Sequence, residues 1–81
     1  MTKQQRVEAL FRPTNFNIFV SGYLGYSNIQ DTLAIHPVEL IIDGNEIFDA
    51  DSLPKVVIHK IKDIVQLRVY EEETEDEDSI N

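Results

Sequence analysis

Carboxylates are the most concentrated chemistry in this chain, and seven of them crowd one place. In EEETEDED, residues 71–78, the acids Glu71, Glu72, Glu73, Glu75, Asp76, Glu77 and Asp78 are interrupted only by Thr74. Extended chain rises ~3.3 to 3.6 Å per residue, so the run carries nearly one charge per ~4 Å, close to the ~3.4 Å phosphate spacing along a DNA strand. A polyanion of that density can compete for a basic groove that normally holds a nucleic-acid backbone. The same run also serves a simpler end, since acidic segments solubilise small proteins and oppose self-association. Its composition cannot repay the entropy of folding. The expectation is therefore a globular domain over residues 1–70 and a disordered acidic tail over 71–81.

The remaining reactive side chains are scattered. His36 and His59 are the only histidines and there is no cysteine. A zinc site needs several ligands at set spacings, so these two read as ordinary histidines and no cofactor is expected. Ser21, Ser27, Ser52 and Ser79 supply hydroxyls, but none sits in a nucleophile-elbow pattern. In DGNEIFDAD, residues 43–51, the acids Asp43, Asp49 and Asp51 with Asn45 are out of register with a calcium-binding loop, and glycine comes second. That stretch reads as a hairpin turn followed by a cap. Gly22 and Gly25, flanking Tyr23 and Leu24, do not form a phosphate cradle. The reading is a non-enzyme. Tyr23 and Tyr26, with Phe19 nearby, form an aromatic group that suits either core packing or a protein interface.

Charge narrows the partners. The chain carries 15 acidic and 7 basic residues, a net charge of −8. Setting aside the seven carboxylates of the run leaves eight acids against seven bases, a body of about −1. Lys55, Lys60 and Lys62 are interrupted by apolar residues, so no basic stripe points to direct nucleic-acid binding. No apolar stretch approaches the ~20 residues of a membrane helix, and MTKQQRVEALF lacks the apolar core and small-residue cleavage site of a secretory signal. A cytoplasmic protein with no membrane role is expected.

The elements that must position these groups follow from pattern. KQQRVEALF, residues 3–11, is rich in helix formers, places Val7, Leu10 and Phe11 on one helical face and stops at Arg12-Pro13. A helix is expected there, with a strand over 7–11 as the alternative. FNIFV, residues 16–20, is aromatic and β-branched and predicts a strand, followed by a loop or bulged strand end in SGYLGYSN. TLAIHPVELII, residues 32–42, is extended, with Pro37 breaking it or marking an edge. Asp43-Gly44-Asn45 is a hairpin turn returning into EIF. Over 53–60, cap candidates Asp51 and Ser52 and a first-turn Pro54 predict a short helix, against the β preference of Val56-Val57-Ile58. IVQLRVY, residues 64–70, alternates and predicts a strand with Val65, Leu67 and Val69 buried.

Together these give an α+β domain: an antiparallel sheet of three to four strands, an N-terminal helix and a short helix before the last strand. The functional expectation is a small interaction module, a regulator or inhibitor of a larger protein with a basic surface. Small proteins of this type, phage-encoded ones among them, often act on nucleic-acid machines. The alternative is a structural or assembly subunit, including a homo-oligomer, that pairs through an edge strand near Pro37 or over 65–70, its tail serving solubility alone.

Overall fold

The computed structural model describes residues 3–73, with side chains from 5 to 70. The architecture is all-β: β1 (Lys3–Phe11), β2 (Ile18–Leu24), β3 (Thr32–Ile42), β4 (Asn45–Glu46), β5 (Val57–Lys60) and β6 (Ile64–Glu73) form one antiparallel sheet. Its order is β4-β3-β2-β1-β6, and β5 also pairs with β3. The expected α+β class is therefore corrected. Neither helix exists; the only helical turns among the described residues are single 3₁₀ turns at Ala50–Ser52 and Ile61–Asp63. The sheet has six strands, not three to four.

Both misread segments show tertiary packing overriding local preference. Residues 3–11 are β1, whose Val7, Ala9 and Phe11 alternate onto one face and are fully buried. Helix propensity differs by at most ~0.7 kcal/mol among ordinary residues. Burying a large apolar side chain contributes ~1.5 to 3 kcal/mol, and β1 gains this burial because it lies between β2 and β6. Residues 53–60 divide instead into a connection and β5. The expected caps Asp51 and Ser52 instead lie inside a 3₁₀ turn that Asp49 caps, its carboxylate accepting from the Asp51 amide at 3.1 Å. The β-branched run then goes extended, with Val57 buried against Ile35 across the β3–β5 pair.

Two local features shape the sheet. At the β3–β4 turn, Asp43 (φ 52°) and Gly44 (φ 86°) are both left-handed, as a two-residue turn of type I′ requires, and Ile42 pairs with Asn45 across it. Midway along β2 and β3, the register shifts where Gly22 faces Pro37. A Cβ on residue 22 would run into the His36 carbonyl. Pro37, which has no N–H to give a ladder, sits at this bulge, in the stretch of β3 between its β5 partners at 32–35 and its β4 partners at 41–42, where β2 is its only strand neighbour.

The bulge helps curl the sheet. The first half of β3 carries β5 back towards the end of β1, where the His59 ring lies 5.0 Å from that of Phe11. Two backbone bonds fix the approach: Ile61 N–H to the Asp31 carbonyl and Arg12 N–H to the Asp63 carbonyl, both 2.9 Å. The concave face holds the core of Val7, Ala9, Phe11, Ile18, Val20, Ile35, Leu40 and Val57, and Phe16, Leu33, Ile47, Leu53 and Ile64 pack around it.

The last strand keeps its expected alternation at Leu67 and Val69, loses it at Val65, where the register with β1 shifts and Ile64 instead faces Phe11, and does not reach its expected burial. Val7 pairs with Val69 and Ala9 with Leu67, so Leu67 and Val69 do share the core face. They are nevertheless 48% and 49% exposed, and Val65 is 55% exposed. The reason is position. β6 is the outermost strand beside β1, and no strand among the described residues pairs with its other side.

Candidate interaction edge

The surface with the most unspent chemistry is β6 itself. It is ten residues long, has no proline and begins just after Lys60 and Lys62. An edge strand presents a row of unpaired backbone donors and acceptors that another strand can use. Here that row is bordered by half-exposed apolar Leu67 and Val69 on the core face and by exposed Val65 at a bulge, where β6 has one residue more than β1 between Leu10 and Phe11. The strand continues past Tyr70 into the carboxylate run. The backbones of Glu71, Glu72 and Glu73 pair with Gln5, Gln4 and Lys3, so the run starts on the sheet. Glu75, Asp76, Glu77 and Asp78 lie outside the described residues.

On the opposite, convex face, β6 is tied to its neighbours by polar side chains. Glu8 stands across from Arg68. Its carboxylate accepts from the Tyr70 hydroxyl at 3.1 Å and lies 3.9 Å from the Arg68 guanidinium. The phenol of Tyr70 is held above its ordinary value of 10.0, first by desolvation and then by the hydrogen bond to Glu8 and that carboxylate's charge. Arg6 donates to the buried Ser21 hydroxyl at 3.1 Å, and its guanidinium lies 5.3 Å from the Tyr23 ring centre. A depression open to solvent runs alongside, lined by Glu8, Leu10, Phe19, Gln66, Leu67 and Arg68.

The two tyrosines singled out by sequence do not act together. Tyr23 is half-buried on β2 under Arg6, where it packs the convex face. Tyr26, in the loop after β2, is 85% exposed. Phe19 is half-buried beside Leu10. The histidines also part: His36 is exposed and its Nδ1 donates to the Lys55 carbonyl at 3.0 Å, whereas His59 packs on Phe11. Among the described residues no group of three or more histidine or acidic side chains is placed to hold a metal ion, and no helix is long and apolar enough to cross a membrane.

Sequence reading missed the apolar stripe as a surface, because alternation names a face without saying what covers it. It also missed the Glu8–Arg68–Tyr70 group. Arg68 and Tyr70 are visible as outward residues, but their partner is 60 and more positions away and follows only from the β1–β6 register. No family model, no curated protein and no solved structure matches this chain.

Proposed function

We propose that this chain is a small non-enzymatic protein-interaction module whose working surface is the open edge of β6. The observation that carries the reading is one strand with an unpaired edge, a half-exposed apolar stripe and a carboxylate run continuing from its end. Main-chain hydrogen bonds from an added strand supply affinity, and alternate side chains supply selectivity. The carboxylates favour a partner with a basic surface and speed encounter, within a screening length of ~8 Å at physiological salt. A module of this kind regulates or inhibits by occupying its partner, and the partner is a protein rather than a nucleic acid. The same open edge equally suits an assembly subunit, in which the acidic run only prevents aggregation.

Capture from native lysate, at low and high salt, separates these readings. The full chain is compared with Leu67→Lys/Val69→Lys, and with a chain whose residues 71–78 carry Gln and Asn for Glu and Asp. The expected result is loss of capture in the edge variant and a shallower salt dependence in the neutral variant. Capture unchanged by the edge variant contradicts the proposal. A neutral variant with the native rate and salt slope reduces the run to a solubility device and leaves the assembly reading.

A further inference from the structure

The geometry points to a second copy of this chain as an occupant of the β6 edge, paired antiparallel about a two-fold axis passing beside Leu67. This inference rests on the edge-docking reading above and names a partner for the same surface.

The strand is self-complementary along its length. It follows exposed Lys60 and Lys62, has apolar Val65, Leu67 and Val69 in its middle and ends in Glu71, Glu72 and Glu73. Parallel pairing of two such strands sets the carboxylate runs side by side, which like charge opposes. Antiparallel pairing sets the acidic end of each against the lysine end of the other. At that corner Arg12, Lys60 and Lys62 outnumber Asp31 and Asp63.

Register decides the rest, because apolar residues must meet apolar residues on a shared face. With Leu67 opposite Leu67 of the partner subunit, Val65 meets the partner's Val69 and Arg68 meets the partner's Gln66, and the far end of each strand runs out towards the turn Ile61–Asp63 that precedes the other. The stripe then closes over itself and extends the concave core across the axis. Shifting the axis to residue 68 sets Arg68 against the partner's Arg68 and Val65 against the partner's Glu71. Shifting it to residue 66 carries Val69 past the start of the partner's β6 at Ile64 and leaves it without an apolar partner. Of these registers, the Leu67-centred one sets the most apolar residues of the strand against apolar residues.

The chain has no cysteine, so single cysteines report this register directly. Facing residues in antiparallel strands have Cα atoms about 4.5 to 5.5 Å apart, within the about 4.4 to 6.8 Å that a disulfide spans. Under mild oxidation, Leu67→Cys should give a covalent dimer. Val65→Cys alone and Val69→Cys alone should stay monomeric, and a mixture of the two should cross-link. Sedimentation of the unmodified full chain should show twice the chain mass as concentration rises, and Leu67→Lys should abolish this while keeping the parent circular dichroism. Lys62→Glu should weaken the dimer about two- to tenfold, and adding Glu72→Lys should restore it. A chain that stays monomeric at millimolar concentration overturns the second-copy inference; the edge function stands if Leu67→Lys/Val69→Lys still loses capture of a foreign protein. A dimer that persists in Leu67→Lys, or one in which Val65→Cys cross-links to itself, also overturns it. Persistence of both dimer and lysate capture in the edge variants overturns the edge function as well.

Discussion

The sheet has two edges, and the protein treats them differently. At one, β3 is flanked by β4 and β5, only two and four residues long, lying end to end. The connection between them brings Ile47 and Leu53 onto the core, and Ile47 donates to the Leu40 carbonyl at 2.9 Å. Short, interrupted, covered edges are how sheets avoid unwanted pairing. At the other edge stands β6, long and unbroken, with its apolar stripe half in water. No strand among the described residues pairs with its outer side. The protection it does have is charge at one end, which discourages parallel stacking and leaves selective pairing open.

If the contrast is right, equal truncations should cost unequal amounts on the two sides. Ile35, fully buried between Leu24 and Val57, should lose about 2 to 5 kcal/mol as alanine, a large share of the stability of so small a domain. Leu67→Ala, half-exposed on β6, should lose only about 1 kcal/mol in dilute solution. Urea midpoints of the two variants check this, and equal losses would mean that β6 is already covered.

The curl that closes the sheltered side depends on the bulge. Gly22→Ala drives a Cβ into the His36 carbonyl, which is backbone and cannot swing aside, and should cost about 1 to 3 kcal/mol. Thermal melting measures it; a neutral result would mean the β2–β3 register can slide without harm. Gly44→Val tests the hairpin that keeps β4 short. Nothing crowds residue 44, so its cost comes from φ 86° alone, about 1 kcal/mol or more. An unchanged midpoint would show that the turn relaxes freely.

The smallest effect belongs to the open edge. Folding raises the pKa of Tyr70 through desolvation and Glu8. A pKa raised in the folded state means stability that is complete below the unfolded value and lost as pH rises through the folded one. Stability should therefore fall above pH ~10, and Tyr70→Phe should remove part of that fall. Identical alkaline melts would show that the phenol does not help hold β6 to β1.

The parts legible in sequence are those where local and global preferences agree. The Asp43-Gly44 turn has turn chemistry in its favour and appears as read, although its return strand is only Asn45–Glu46, and the strand expected over 16–20 is present but shifted to Ile18–Leu24, through part of the stretch read as a loop or bulged end. The alternation gave the correct face for Leu67 and Val69, but not for Val65, where a bulge puts Ile64 opposite Phe11. Residues 3–11 fit two periods at once: Val7, Leu10 and Phe11 suit a helix, whereas Val7, Ala9 and Phe11 suit a strand. Only the neighbours β2 and β6 decide between them. Over 53–60, the acids and serine that suggested a cap belong to a 3₁₀ turn over 50–52 capped by Asp49, and the β preference of Val56-Val57-Ile58 was the better guide. Edge position was illegible for a plainer reason. Whether Leu67 is covered depends on which strand ends the sheet, and no local pattern records that.

The central claim is that the outer backbone of β6 is unpaired in the lone chain and becomes paired on association. Amide hydrogen exchange by NMR, residue by residue, tests it at low and high protein concentration and with any captured partner. In the dilute chain every second amide over 64–70 should exchange fast, while its neighbours, bonded to β1, are protected. On association the fast set should gain protection together, with β4 and β5 unchanged. A fast set that stays fast in a proven complex, or protection that appears at β4 and β5 instead, would contradict the account.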